Sequence, residues 1–291
     1  MHVFWAGFGL GLLVASVAAS GSLVARVAQP ASVRIAMDTS AVRPERPRRI
    51  ASLDACTDEL ALLLAAPGQL ISVSRAGADP RQSLLSARAA GLKTNDGRVA
   101  DVTGMGPDLL LIDGGDGNAA NTARELGIAA AAVPQPRSLA EVRDTVRKVA
   151  LALALGRPEA GARLIARMDG DLGVPSARPL ATLMVDGGGK TIAPEGLAAQ
   201  WLRHAGLQQQ PIMPGMVDFG RLQRDPPRVL LIVRQQPGLV GGNQSWRANP
   251  AMKTLPPQVR LVETDGRAWA CPGPARAAEA ARLRSVVHAL R

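Results

Sequence analysis

The sequence predicts an α/β fold in two lobes, each built on a parallel sheet, with a cleft between them. Three observations carry that expectation. From Ile50 onward, short apolar runs of strand length alternate with helical stretches, the mark of parallel α/β architecture. A purely helical stretch, Ser138 to Leu172, interrupts the alternation. After the break Ser176 to Pro179 a second alternating set begins. Two such halves on a rigid connection leave a crevice lined by the loops at their strand C-termini.

In the first half the strands are RIASL, LISVS, DLLLID (Asp108 to Asp113) and IAAAAV (Ile128 to Val133). Leu60 to Ala66 read as the inner face of a helix that follows the polar hinge DACTDE, Asp54 to Glu59. Asn118 to Gly127 is a further helix, closed by a glycine that accepts the left-handed conformation. The helix from Ser138 to Leu155 carries its own start signal. Ser138 is a good N-cap, Glu141 follows three residues on, and Leu139, Val142, Val146 and Val149 recur at helical spacing.

Gly156-Arg157-Pro158 breaks that helix, and Glu159 to Leu172 forms the next, with Leu164, Ile165 and Met168 on one side. The second half offers the strands LATLMVD (Leu180 to Asp186), RVLLIV (Arg228 to Val233) and VRLVET (Val259 to Thr264). Its helices fall at Leu197 to Ala205, Pro250 to Leu255 and Ala275 to Leu290. The resulting division is a leader or anchor at 1–25, a linker at 26–47 and a first lobe at 48–155. A connecting helix at 156–177 and a second lobe at 178–291 complete it.

With 291 residues the chain can bury a large core, and its hydrophobic share of 47% is that of a globular protein. Its net charge of +10 raises the question of a nucleic-acid or membrane partner. The arginines are scattered, however, and the one dense cluster, RPERPRR at Arg43 to Arg49, is interrupted by prolines. No basic helix or aromatic-basic interleaving follows, so the cluster reads as a solvated linker and nucleic acid is not expected as a partner.

Val3 to Ala25 is apolar with small residues, and Val17-Ala18-Ala19 is a site that signal peptidase accepts. Export to the periplasm with a mature start near residue 20 is the expectation. The run is also long enough to span a bilayer, which leaves an uncleaved, periplasm-facing anchor as the alternative. No cysteine lies near it, so a lipoprotein anchor is not expected.

Few residues declare chemistry. Gly187-Gly188-Gly189-Lys190-Thr191 looks like a phosphate loop, but position 184 is Met where the first glycine should stand, and Ile192-Ala193-Pro194 cannot start a helix. It reads as a tight turn. The three histidines are isolated in sequence, which gives no local support to a zinc site. No G-x-S-x-G elbow or nucleophile-base pair occurs, so no catalytic residue, resident metal or cofactor is expected. The loop PIMPGM offers Met213 and Met216 as soft ligands. With Cys56, Cys271 and His204 they form the alternative reading, a redox or soft-metal-handling protein.

RRIASLDACTDELALLLAAPGQLISVSRAGADP resembles the opening of the metal-chelate binding proteins of ABC importers, the vitamin B12- and iron-siderophore-binding type. The similarity continues through GPDLLLIDGG, SLAEVRDTVRKVALALALG and IAPEGLAAQWLRHAGL, and ends at NPAMKTLPPQVRLVETDGRAWACPGP. It covers the chain from about Arg48 to the C-terminus. The resemblance implies two Rossmann-like lobes bridged by a long helix, with the ligand cleft between them. It implies a substrate-binding protein, not an enzyme, that captures a corrinoid or iron-siderophore for an importer permease.

On that resemblance the first lobe brings Asp54, Cys56, Thr57, Arg75, Asn95, Arg98, Gly115 and Asp116 to the ligand. The second brings Glu195, Trp246, Trp269 and Cys271. The family's two permease-docking glutamates match Ala100 and Gly220 here, with Asp101 and Asp218 close by. Two cysteines in an exported chain suggest a disulfide, with free paired thiols as the rival. A bond between two cleft loops would lock the lobes nearly closed, in conflict with capture of a bulky ligand. Cys56 and Cys271 are therefore expected near one another at the cleft rim without an obligatory bond.

Overall fold

The computed structural model describes residues 46–153, 159–236, 238, 239, 242 and 244–291, so segment 1–25, most of the linker and the Gly156-Arg157-Pro158 break lie outside the described residues. The first sheet takes β1 (Ile50–Ser52), β2 (Leu70–Ser74), β3 (Lys93–Asn95), β4 (Leu109–Asp113) and β5 (Ala130–Val133). They pair in parallel in the order β3-β2-β1-β4-β5. The helices α1 (Ala55–Leu64), α2 (Arg75–Ala78), α3 (Ala100–Thr103) and α4 (Gly117–Glu125) connect these strands. Next come α5 (Leu139–Ala152) and α6 (Glu159–Leu172).

The second sheet takes β6 (Leu180–Val185), β7 (Leu207–Gln209), β8 (Val229–Arg234) and β9 (Arg260–Asp265), parallel in the order β7-β6-β8-β9. Its helices are α7 (Leu197–His204), α8 (Phe219–Arg224), α9 (Gly266–Ala270) and α10 (Pro274–Ala289). The central strands β4 and β8 are apolar without interruption because both faces are covered. Leu109 to Leu111 and Val229 to Ile232 are completely buried. Strand order reverses between β1 and β4 and again between β6 and β8. Ligand crevices open beyond the strand C-termini at such points. Here that means the loops after Ser52 and Asp113 in one lobe and after Val185 and Arg234 in the other.

The two helical runs read from the sequence, from Ser138 and from Glu159, are α5 and α6, and they stand between the sheets. α6 packs against both α5 and α10. Gly161 permits the first approach, since a Cβ there would sit 2.7 Å from the Ala150 Cβ. The carbonyls at the end of α6 are taken by Arg284, whose Nη2 donates to Asp171 O at 2.6 Å, and by His204, whose Nδ1 lies 3.1 Å from Gly173 O. His204 thus serves a helix end. A single apolar cluster runs from Ile50 and Leu109 through Val146 and Met168 to Trp201, Leu231 and Leu283, so the two lobes share core.

Candidate functional site

The DACTDE hinge is built as a strand-to-helix corner. Asp54 caps α1 by accepting the amides of Cys56 at 2.8 Å and Thr57 at 3.3 Å, two of the donors that a helix start leaves without partners. Thr57 is buried, with its hydroxyl 2.7 Å from that of Ser52 and donating to Asp54 O at 2.9 Å. Asn95 is buried at the end of β3 and its amide donates to Ser52 O and to Ser72 Oγ, both at 2.9 Å. Asp58 accepts the Ser74 hydroxyl at 2.5 Å. Burial pushes its carboxyl up to about 7, against the pull of those hydrogen bonds. The network fixes the strand ends, and Thr57 and Asn95 spend their polar atoms inside it.

Across from this corner the second lobe makes several contacts, three of which frame the joint. Cys56 and Cys271 form a disulfide with a Cα separation of 5.2 Å. This corrects the expectation of unbonded thiols: the shared core and the contacts beside the bond already hold the two loops within bonding distance. Glu59, on α1, accepts the Ala275 amide at 2.8 Å and so supplies the N-terminal cap that Gly273 cannot give α10. Burial pushes Glu59 up to about 7, an effect that the Ala275 amide and the Arg276 charge only partly offset. Burial likewise pushes Arg276 down to about 10. On the third contact, Arg267 of α9 donates to Pro80 O at 2.8 Å.

The joint holds a partly open pocket of about 30 Å³, walled by Asp54, Cys56, Glu59, Pro134, Cys271 and Gly273 among others. That is space for a water or two. Beside it, an open concavity of about 560 Å³ lies over Leu53, Asp54, Ile112, Asp113, Gly115 and Asp116. Its carboxylates are engaged locally. Asp116 caps α4 through Ala119 N at 2.9 Å, and Asp113 accepts Gly115 N at 2.8 Å and Gln135 Nε2 at 3.0 Å.

The structure therefore gathers Asp54, Cys56, Thr57 and Cys271 at the joint, and Asp54 with Gly115 and Asp116 at the concavity. The other expected residues line neither. Arg75 is exposed and paired with Asp96, while Arg98 pairs with Asp101 at 3.2 Å. Glu195 is exposed ahead of α7. Trp246 is buried in the second lobe's own core, against Gly189, with an indole nitrogen that has no hydrogen-bond partner. Trp269 packs on the shared core, its N–H donating to Thr264 Oγ1 at 2.7 Å and its ring facing Arg276 at 5.2 Å.

Sequence reasoning missed Glu59, Arg267 and Arg276. The only available signal was Glu59 next to a cysteine hinge, and its partner lies 216 residues away. The alternative soft-metal set does not assemble. Both sulfurs are bonded to each other, His204 holds a helix end, and Met213 and Met216 stand exposed. Among the described residues no group of three His, Cys, Asp or Glu is placed to hold a metal, and no helix is long and apolar enough to cross a membrane. The glycine run after β6 is the tight turn expected, with Asp186 Oδ1 accepting Gly188 N and Lys190 N at 2.8 Å.

No family model matches the chain, and no curated protein matches it in sequence. Solved structures do. The periplasmic heme-binding protein RhuT from Roseiflexus sp. RS-1, in its apo form, superposes with a TM-score of 0.66 at 18% identity, over 84% of this chain and 98% of that one. The periplasmic heme-binding protein BhuT, in complex with two hemes, gives 0.63 at 21% identity over 84% and 99%. The periplasmic vitamin B12-binding protein BtuF of Vibrio cholerae gives 0.57 at 16% over 85% and 99%. The chain has the fold of these two-lobed periplasmic binding proteins.

Proposed function

We propose that the chain is an extracytoplasmic solute-binding protein that captures a metal chelate, a corrinoid or an iron complex such as a siderophore, and presents it to an ABC importer. The observation that carries this reading is the architecture: two parallel sheets joined through a helical segment, a fold shared over nearly the full length of periplasmic heme- and B12-binding proteins. Such a protein works by binding rather than by bond chemistry. Its expected polar groups are spent on caps and networks instead of being arranged as nucleophile and base. The ligand meets Asp54, Gly115 and Asp116 of the first lobe, which line the open concavity.

The permease contact differs from the family pattern. Ala100 and Gly220 sit exposed at the starts of α3 and α8. Neither nearby carboxylate is an idle substitute for the missing glutamates. Asp101 accepts the Asp96 amide at 3.0 Å, and Asp218 caps α8 through Arg221 N at 3.1 Å. Mass spectrometry of whatever co-purifies with the exported chain, followed by tryptophan-quenching titration with hemin, cyanocobalamin and a ferric siderophore, tests the reading. Saturable binding of one of the three is expected. Failure of all three, with no co-purifying chelate, overturns it.

A further inference from the structure

We propose that the Cys56–Cys271 disulfide is a redox-operated clasp that decides whether the two lobes can separate on that flank of the crevice, a proposal that rests on the binding function above. The bond joins the first turn of α1, in one lobe, to the segment between α9 and α10, in the other. The contacts beside it, Glu59 to Ala275 and Arg267 to Pro80, are single hydrogen bonds that break and re-form. Among these links the sulfur bridge is the covalent one, added to a joint that the shared core already brings together.

The volume behind that bridge shows what is at stake. The partly open pocket at the joint holds about 30 Å³, whereas pockets for small-molecule ligands run to about 300–1,000 Å³. A chelate reaches the inner wall, Glu59, Pro134 and Val146, only if Cys271 and Cys56 part. Oxidised, the protein offers the open concavity of about 560 Å³ over Asp113 and Asp116. Reduced, it offers the concavity and the joint together.

The reductant the geometry suits is a protein dithiol of the thiol–disulfide exchange class. Cys56 is the more exposed of the two half-cystines, Cys271 being 7% exposed. A thiolate of the reductant therefore attacks Cys56 Sγ, and the Cys56–Cys271 bond breaks with Cys271 leaving as thiolate. The reductant's second thiolate then attacks its own sulfur in the mixed disulfide and releases Cys56. The chain gains two electrons and two protons, and the reductant closes its own disulfide.

The test compares the full exported chain oxidised, the same chain reduced with excess phosphine, and the variant Cys56→Ser/Cys271→Ser. Amide hydrogen exchange at Ala275 reports the joint, and exchange at Leu110 and Leu231 reports the two sheets. Hemin and cyanocobalamin serve as probes of binding. Opening the clasp is expected to speed exchange at Ala275 at least tenfold while Leu110 and Leu231 stay protected, and to tighten binding of one probe at least tenfold. Ala275 exchange that is equal within twofold in the oxidised and reduced chains overturns the clasp. So does loss of protection at Leu110 and Leu231, which makes the bond a staple of the whole fold. If Ala275 responds and neither probe binds in either state, the clasp stands and the chelate reading falls. If a probe binds both states alike and Ala275 does not respond, the clasp falls and the chelate reading stands. Reduction of the unaltered chain keeps the test decisive should the double variant fail to fold.

Discussion

Replacing Glu59 with Gln isolates the cost of keeping a carboxylate in the inter-lobe joint. Glu59 is buried, accepts the Ala275 amide, and has its pKa raised from 4.5 to about 7 by burial. Because the folded value lies above the unfolded one, folding favours the protonated acid. The stability this contributes is fully present below about pH 4.5 and is lost as the pH rises through 7. At about 1.4 kcal/mol per pH unit, the shift amounts to about 3 kcal/mol. Gln is a permanent mimic of the neutral acid, and its carbonyl can still accept the Ala275 amide. At pH 4 the variant and the parent are expected to unfold at nearly the same urea concentration. At pH 8 the variant should be the more stable by up to about 3 kcal/mol. Asp58 titrates in the same window in both proteins, so the comparison between them removes its share. Urea unfolding of the oxidised proteins, followed by tryptophan fluorescence at the two pH values, measures the difference. A difference that does not change with pH refutes the reasoning. A parent that gains on the variant at pH 8 refutes it more specifically, by showing that attraction to Arg276 outweighs the loss of hydration.

Two further outcomes follow from the same corner. Gly273→Ala places a Cβ 2.7 Å from Glu59 Oε1, so the carboxylate must leave the start of α10. A loss of about 1–3 kcal/mol in urea unfolding is expected, and an unchanged midpoint would show that the joint has slack. Asp54→Ala removes the acceptor for the Cys56 and Thr57 amides and should cost about 1 kcal/mol, read as a lowered thermal midpoint at pH 7.

Much of the fold was legible because local pattern and burial agree. The runs DLLLID and RVLLIV became β4 and β8, and the Ser138 start signal became α5, with Ser138 Oγ accepting Glu141 N at 3.2 Å. The run from Glu159 became α6, which ends at Leu172 as read and buries Leu164, Ile165 and Met168. The three-residue strands β3 and β7 were not legible, because so short a segment carries no period of its own and is a strand only by pairing with β2 and β6.

At the site, the sequence by itself determined the corners: a strand end, a cap, a helix start and a cysteine at Asp54 to Cys56, and a second cysteine ahead of a C-terminal helix. It left open whether those corners meet, since no local pattern encodes a contact across 215 residues. Only the tertiary structure decided that Cys56 bonds Cys271, that Glu59 caps a helix of the other lobe, and that Thr57 and Asn95 turn inward. The reason is the same in each case. A side chain's type fixes which bonds it can make, while the packing of two sheets on a shared core fixes which partners it meets and how much water it keeps.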